Sequence, residues 1–392
     1  MASAERPDPR RNWTRLDGVD LLRGLAIFFV LMNHVNMRLR IARVPYTKGL
    51  PEQLVSSLVW NGQFGVQIFF AVSGFLIAST AIRRWGSLSR INVQDFYLLR
   101  FTRIAPLLVL LLAILSLLDL AHVTNFAIAS KTGGLPRALL AALTFHVNVL
   151  EARRGYLPAN WDVLWSLSVE EVFYLFFPLV CGLLGRGKGL TRLLLVFVVL
   201  GPFGRTVLAR RNEVWKEYSY LGGMDAIALG CLTALIVSRA HASRPVVRGL
   251  SAIGGALLIF ILCFSTQTYN RGLARIGLDM SIIAVGACMI AAAAAQSRWK
   301  GPRFIGPILR LGERSYEVYL THMFVVFALF QLFVRAGKPL EAVPVLFASA
   351  ILISGVLGAA VARFYSEPMN RILRKRFGDS AGRLGSVVAD PR

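Results

Sequence analysis

Ten apolar runs, starting near Leu21, Gly62, Ile104, Val163, Thr191, Leu221, Leu250, Ile276, Ser315 and Ala342, recur along the whole chain. Crossing about 30 Å of hydrocarbon takes roughly 20 apolar residues as a helix, and each of these runs is long enough. The chain is therefore expected to be an all-α integral membrane protein with about ten transmembrane helices. A mean hydropathy of +0.58 and a charged fraction of 17% exclude an ordinary soluble domain. The first run carries Arg23 and His34 and lacks a small-residue cleavage site, so it is expected to be retained as a span rather than removed as a signal peptide.

An eleventh run between Ala138 and Leu150 is too short to cross comfortably. Charge settles how it is read. With ten crossings and an inner N-terminus, 26 loop Lys and Arg residues fall inside and 15 outside; letting the short run cross changes this to 18 inside and 23 outside. Cytoplasmic loops are enriched in Lys and Arg, so ten crossings with both termini cytoplasmic are expected. The short run then becomes a re-entrant or interfacial helix on the outer side, within a long connection from His122 to Asp162. The expected organisation is a cytoplasmic segment over 1–19, a membrane domain over 20–365 and a basic cytoplasmic tail over 366–392, in a multi-pass membrane protein. The lipid bilayer is its first partner.

The net charge of +23 is spread over short loops between apolar runs, which gives no basic domain for nucleic acid. Cys181, Cys231, Cys263 and Cys288 lie inside apolar runs without metal-ligand or redox spacing, so neither a metal nor a disulfide framework is implied.

Polar residues inside spans are costly and mark function. Arg23 and His34 lie eleven residues apart in the first span. That spacing is about three helical turns, which puts both on one face about 16 Å apart along the axis. With span directions fixed, Arg23, Arg100 and Arg103 are expected near the inner surface. His34, Glu170, Glu171, Asp225 and Arg205 are expected in the outer half. A carboxylate beside an imidazole tunes it as a base for a hydroxyl, whereas guanidinium groups near one surface suit the phosphates of a donor such as coenzyme A. The run Phe64 through Ile77 fits a close helix contact, because its small residues let backbones approach. His322 reads as a satisfied core histidine, and His122 and His146 as structural.

Taken in order, several segments resemble one family. They are Leu16-Asp17-Gly18 with Arg23 and His34; Phe69 through Ile77; Arg100 and Arg103 before Pro106; Trp165-Ser166-Leu167-Ser168-Val169-Glu170-Glu171; Asp225 through Gly230; and Leu311-Gly312 with Ser315-Tyr316 and Tyr319-Leu320-Thr321-His322. Together they resemble the membrane-bound acyltransferase family three, the multi-span O-acetyltransferases of bacterial envelope glycans and some macrolides. The resemblance implies transfer of an acyl group, typically acetyl, from cytoplasmic acyl-coenzyme A to a hydroxyl of a glycan, lipid-linked sugar or macrolide. Some members carry a separate esterase-like domain after the membrane part, so a further transfer step here is expected to need a partner, a separate periplasmic transferase, or direct delivery to the acceptor. It implies His34 as the essential histidine, and Arg23, Arg100 and Arg103 as serving donor binding or structure. From their place in the spans, Glu170 and Glu171 are expected to join His34 in catalysis, and Asp225, Arg205 and Ser73 to bind the acceptor. The chain departs from the pattern at Tyr365-Ser366-Glu367-Pro368, a loose version of the acidic-proline ending, and at Ala105, where an aromatic is frequent. A second class, a proton-coupled secondary transporter, also uses His, Glu and Asp inside spans.

Overall fold

A computed structural model describes residues 16–208, 212–297 and 299–387, with side chains to residue 377. The expected segment over 1–19 therefore lies mostly outside the described residues. Among the described residues every regular element is helical. The ten apolar runs become ten helices long and apolar enough to cross a membrane. Their cores are α1 Asp17–Ile41, α2 Gly62–Trp85, α3 Val93–Leu120, α4 Leu164–Leu184, α5 Gly189–Phe203, α6 Tyr220–Arg239, α7 Arg244–Cys263, α8 Leu278–Gln296, α9 Ser315–Arg335 and α10 Val343–Val361. A π-helical turn, Ala362–Ser366, joins α10 to a basic helix, α11 Glu367–Val387.

Local sequence explains several helix ends. In α1, Asp17 and Asp20 lie in the first turn and Arg38 and Arg40 in the last, which opposes the helix dipole at both ends. Asn92 caps α3 by accepting from the Asp95 amide at 3.0 Å, and Ser219 caps α6 by accepting from the Gly222 amide at 3.1 Å. The short eleventh run divides into Gly134–Leu143 and Val147–Arg154, neither long enough to cross. This connection is tied to the span bundle rather than left loose. The Val147 amide donates to Ser168 Oγ at 3.2 Å, and Asn160 Nδ2 donates to the Leu320 carbonyl at 2.7 Å.

Inside a bilayer helices associate by close packing rather than by hydrophobic drive, and small residues allow it. α2 and α6 meet this way. A methyl group added at Gly74 would lie 2.0 Å from the Ile227 carbonyl oxygen, and one at Gly230 would lie 2.1 Å from that of Ala71. The run around Ser73 thus makes the expected close helix contact through Gly74, and Ser73 lines a cavity. α1 lies against α2, with Gly62 beside Asn33 and Gly65 beside Ala26 and Val30. The chain direction along α1 therefore opposes that along α2, and His34 falls beyond the α2 end that carries Gly62.

Candidate active site

A cavity of roughly 320 Å³ follows α2 from Trp85 to Val66, a distance of about 28 Å along a helix. Its lining changes character along that path. Arg84, Arg103 and Arg374 are exposed, line the cavity together, and lie close enough for the charges of Arg84 and Arg103 to act on Arg374. Three cations at one mouth repel one another, which suits a polyanionic partner. Arg103 was expected in this role. Arg374 was expected only as part of the basic juxtamembrane tail that favours anionic lipid, and Arg84 was not singled out.

Arg23 and Arg100 also line the cavity but lie deeper. Arg100 Nη2 is 2.5 Å from Glu171 Oε1 and 3.7 Å from Glu170 Oε1, and its guanidinium stacks on Tyr174 at 4.0 Å from the ring centroid. Ser73 Oγ donates to Glu170 and accepts from the Tyr174 hydroxyl at 2.6 Å. Arg23 sits 4.0 Å from Asp20 and feels the charges of Arg103, Glu317 and Glu170. One inner arginine cluster and one outer carboxylate cluster were expected; the structure interleaves them instead. The reason is the position of α4. Ser166 near its start meets the Tyr319 hydroxyl at 2.7 Å, and Glu170 and Glu171 lie one further turn along, at the level of Arg100.

Glu170 and Glu171 therefore do not accompany His34. The charges acting on His34 are those of His322 and Arg38, and its ring lies 5.1 Å from that of His322, tilted by 46°. Tyr319 links this pair to the cavity: it lines the cavity and its ring is 5.8 Å from His322. His322 was expected to be a satisfied core histidine and is only half satisfied. Nδ1 faces the Tyr319 carbonyl at 2.6 Å and the Val318 carbonyl at 3.3 Å, while Nε2 is buried without a partner among the described residues.

Asp225 and Arg205 also depart from expectation. Arg205 stands in a π-helical turn, Gly204–Leu208, that prolongs α5, and grips Asp225 through two contacts of 3.0 and 2.8 Å. Arg205 also donates to the Gly277 and Gly222 carbonyls. Asp225 accepts further from Gln67 at 3.0 Å and Ser281 at 2.9 Å. Gly201 permits the approach, because a methyl there would lie 2.4 Å from Asp225 Cβ. Asp225 has no exposed surface, and neither residue lines the cavity. This bidentate, fully partnered pair binds α5, α6, α8 and α2 together rather than offering itself to an acceptor.

A bundle of ten membrane helices around an arginine-mouthed cavity, with a histidine pair past its far end, defines a multi-pass membrane protein. The family model described as an acyltransferase domain, acyltransferase family three, matches residues 16–363. The chain belongs to this family. It is similar to the O-acetyltransferase OatA of Staphylococcus aureus strain NCTC 8325 / PS 47, at 25% identity over 380 residues covering 91% of this chain and 57% of that protein. It is also similar to the peptidoglycan O-acetyltransferase OatA of Listeria monocytogenes, at 26% identity over 327 residues covering 78% of this chain and 48% of the relative. The chain spans about half the length of these relatives. No solved structure matches it. Membership in an enzyme family leaves the transporter reading without support.

Proposed function

We propose that this chain takes an acetyl group from acetyl-coenzyme A on the cytoplasmic side of the bacterial inner membrane and delivers it to a hydroxyl of an envelope glycan on the other side. The observation that carries this reading is the order of groups along one cavity and past its end: exposed Arg84, Arg103 and Arg374 at the mouth, Ser73, Glu170 and Tyr319 along the wall, and beyond Tyr319, outside the lining, His322 and His34. Guanidinium forks match the phosphates of the donor nucleotide. A narrow cavity of roughly 320 Å³ has room for the pantetheine arm and acyl group, with the nucleotide held at the mouth. His34 then serves as the base or acyl carrier at the end of the arm. Arg23 and Arg100 lie beside that path, Arg100 held in place by Glu170 and Glu171, so these carboxylates shape the donor channel.

An even number of crossings puts both ends of the bundle on one side, and the charge bias makes that side cytoplasmic. The connection over 122–162 then lies toward the acceptor, with its two short helices re-entrant or interfacial. A glycan acceptor is favoured because the Listeria relative is named for acetylating peptidoglycan. A partner transferase would extend the reach of the acyl group. Membranes containing the chain, given radiolabelled acetyl-coenzyme A and peptidoglycan fragments, should label the glycan. Label transferred to no glycan hydroxyl, with active relatives as controls, would overturn the acceptor assignment.

A further inference from the structure

His322 is held by its own helix. Nδ1 can only donate to the Tyr319 carbonyl at 2.6 Å, so this nitrogen carries the hydrogen and Nε2 carries the lone pair. Nε2 is buried and unpartnered among the described residues, on a side chain with 0% exposure. A buried acceptor left without a donor destabilises a fold, and one in the reacting region needs an explanation.

The group placed to donate is His34. Two imidazoles joined by an N–H···N bond of about 2.9 Å have centroids roughly 5 Å apart, and these centroids are 5.1 Å apart. Rotation about the terminal torsion of His34, which is broad for such a ring, closes the contact. His34 is partly accessible and can turn. His322 cannot, because its other nitrogen is tied to backbone.

We propose that His322 is a positioning residue for acyl transfer: its Nε2 accepts the N–H of His34 and thereby fixes the tautomer in which the other His34 nitrogen is free to act. This rests on His34 being the acting group. In the transfer, the hydroxyl oxygen bonds to the thioester carbonyl carbon as the C–S bond breaks. The hydroxyl proton passes to the free nitrogen of His34 and from there to the departing thiolate. His322 exchanges no proton. It differs from a carboxylate partner in leaving no charge buried beside His34, which would otherwise need a partner of its own.

Two measurements test this. In protein labelled with ¹⁵N at its five histidines and held in nanodiscs, a through-hydrogen-bond N–N coupling should connect two rings and vanish in His34→Gln. Its absence from the unmutated protein overturns the proposal. In transfer assays His322→Phe, which keeps the ring and removes the acceptor, should lower kcat about 100-fold or more with acetyl-coenzyme A affinity unchanged. His322→Gln returns an acceptor near the Nε2 position and should recover at least about tenfold of that loss. Donor affinity falling with kcat, or no recovery in a folded Gln variant, would mean a packing role only. The labelled unmutated protein decides the matter if the Phe variant does not insert. Full activity of His34→Ala would remove the underlying reading, whereas an inactive His34→Ala beside a normal His322→Phe would remove this inference alone.

Discussion

Arg100 and Arg103 sit one helical turn apart on α3 and both line the cavity, yet replacing them should have opposite consequences. Arg100 is clamped by Glu171 at 2.5 Å and Glu170 at 3.7 Å, with side chains 16%, 10% and 23% exposed. Arg100→Ala leaves two neighbouring carboxylates without their cation in a mostly dry site. Breaking a buried pair by removing one partner costs about 3–5 kcal/mol, so the thermal transition should fall on the order of 5–10 °C. Arg103 is exposed and makes no ion pair within 4 Å among the described residues. Arg103→Ala should leave the thermal transition within a degree or so of the parent. It should lose a charge-assisted phosphate contact of about 1.5–3 kcal/mol, or roughly 10- to 150-fold in donor affinity. Differential scanning fluorimetry of detergent-solubilised protein reads the first quantity, and equilibrium binding of acetyl-coenzyme A reads the second. Michaelis constants would mix binding with turnover. An Arg103→Ala variant with unaltered donor affinity, or an Arg100→Ala variant with unaltered stability, would refute the division between a phosphate-binding mouth and a carboxylate-clamped interior.

Three further outcomes follow from other parts of the structure. Asp225→Ala strands the buried Arg205 guanidinium and should reduce stability by about 3–5 kcal/mol, while the protein that does fold keeps its donor affinity; weakened acceptor saturation at normal stability would restore an acceptor role to the pair. Glu151, in the connection between α3 and α4, has its carboxyl held well above the usual carboxylate range by burial and by the nearby Asp162 charge. The folded state therefore holds this proton more tightly than the unfolded chain, and stability is lost as pH rises from the unfolded value toward the folded one; Glu151→Gln should remove that loss, giving a flatter thermal-stability profile from pH 5 to 8, and an unchanged slope would contradict the assignment. A reporter joined after Arg392 should be active only if it works in the cytoplasm, and activity confined to the periplasmic side would require an odd number of crossings.

The ten spans were legible because each apolar run has to be about as long as the membrane is thick, and the structure returns a helix for every one. Positions of polar groups along the bundle were less so. Depth inferred from span direction placed Glu170 and Glu171 beside His34, but α4 starts against Tyr319 rather than at a surface, a displacement set by the connection packing on α4 and α9. Arg205 and Asp225 were found as polar residues in spans, but only three-dimensional pairing shows that each satisfies the other. Arg84 escaped notice and Arg374 was read only as part of the basic tail, because they lie on helices far apart in the chain and meet only at the mouth. For His322 the sequence offers a histidine on an apolar helix, and its unpartnered Nε2 depends on which backbone carbonyl the ring happens to face.

The central claim is that donor enters at the arginine mouth and acyl leaves beyond the histidine pair, on opposite faces of the membrane. Its most direct test uses proteoliposomes of uniform orientation, with radiolabelled acetyl-coenzyme A added only on the side bearing Arg84, Arg103 and Arg374, and peptidoglycan fragments sealed on the other. Label should appear on glycan hydroxyls across the bilayer and be lost in His34→Ala. Transfer that occurs only when donor and acceptor share one side, or that survives the loss of His34, would contradict it.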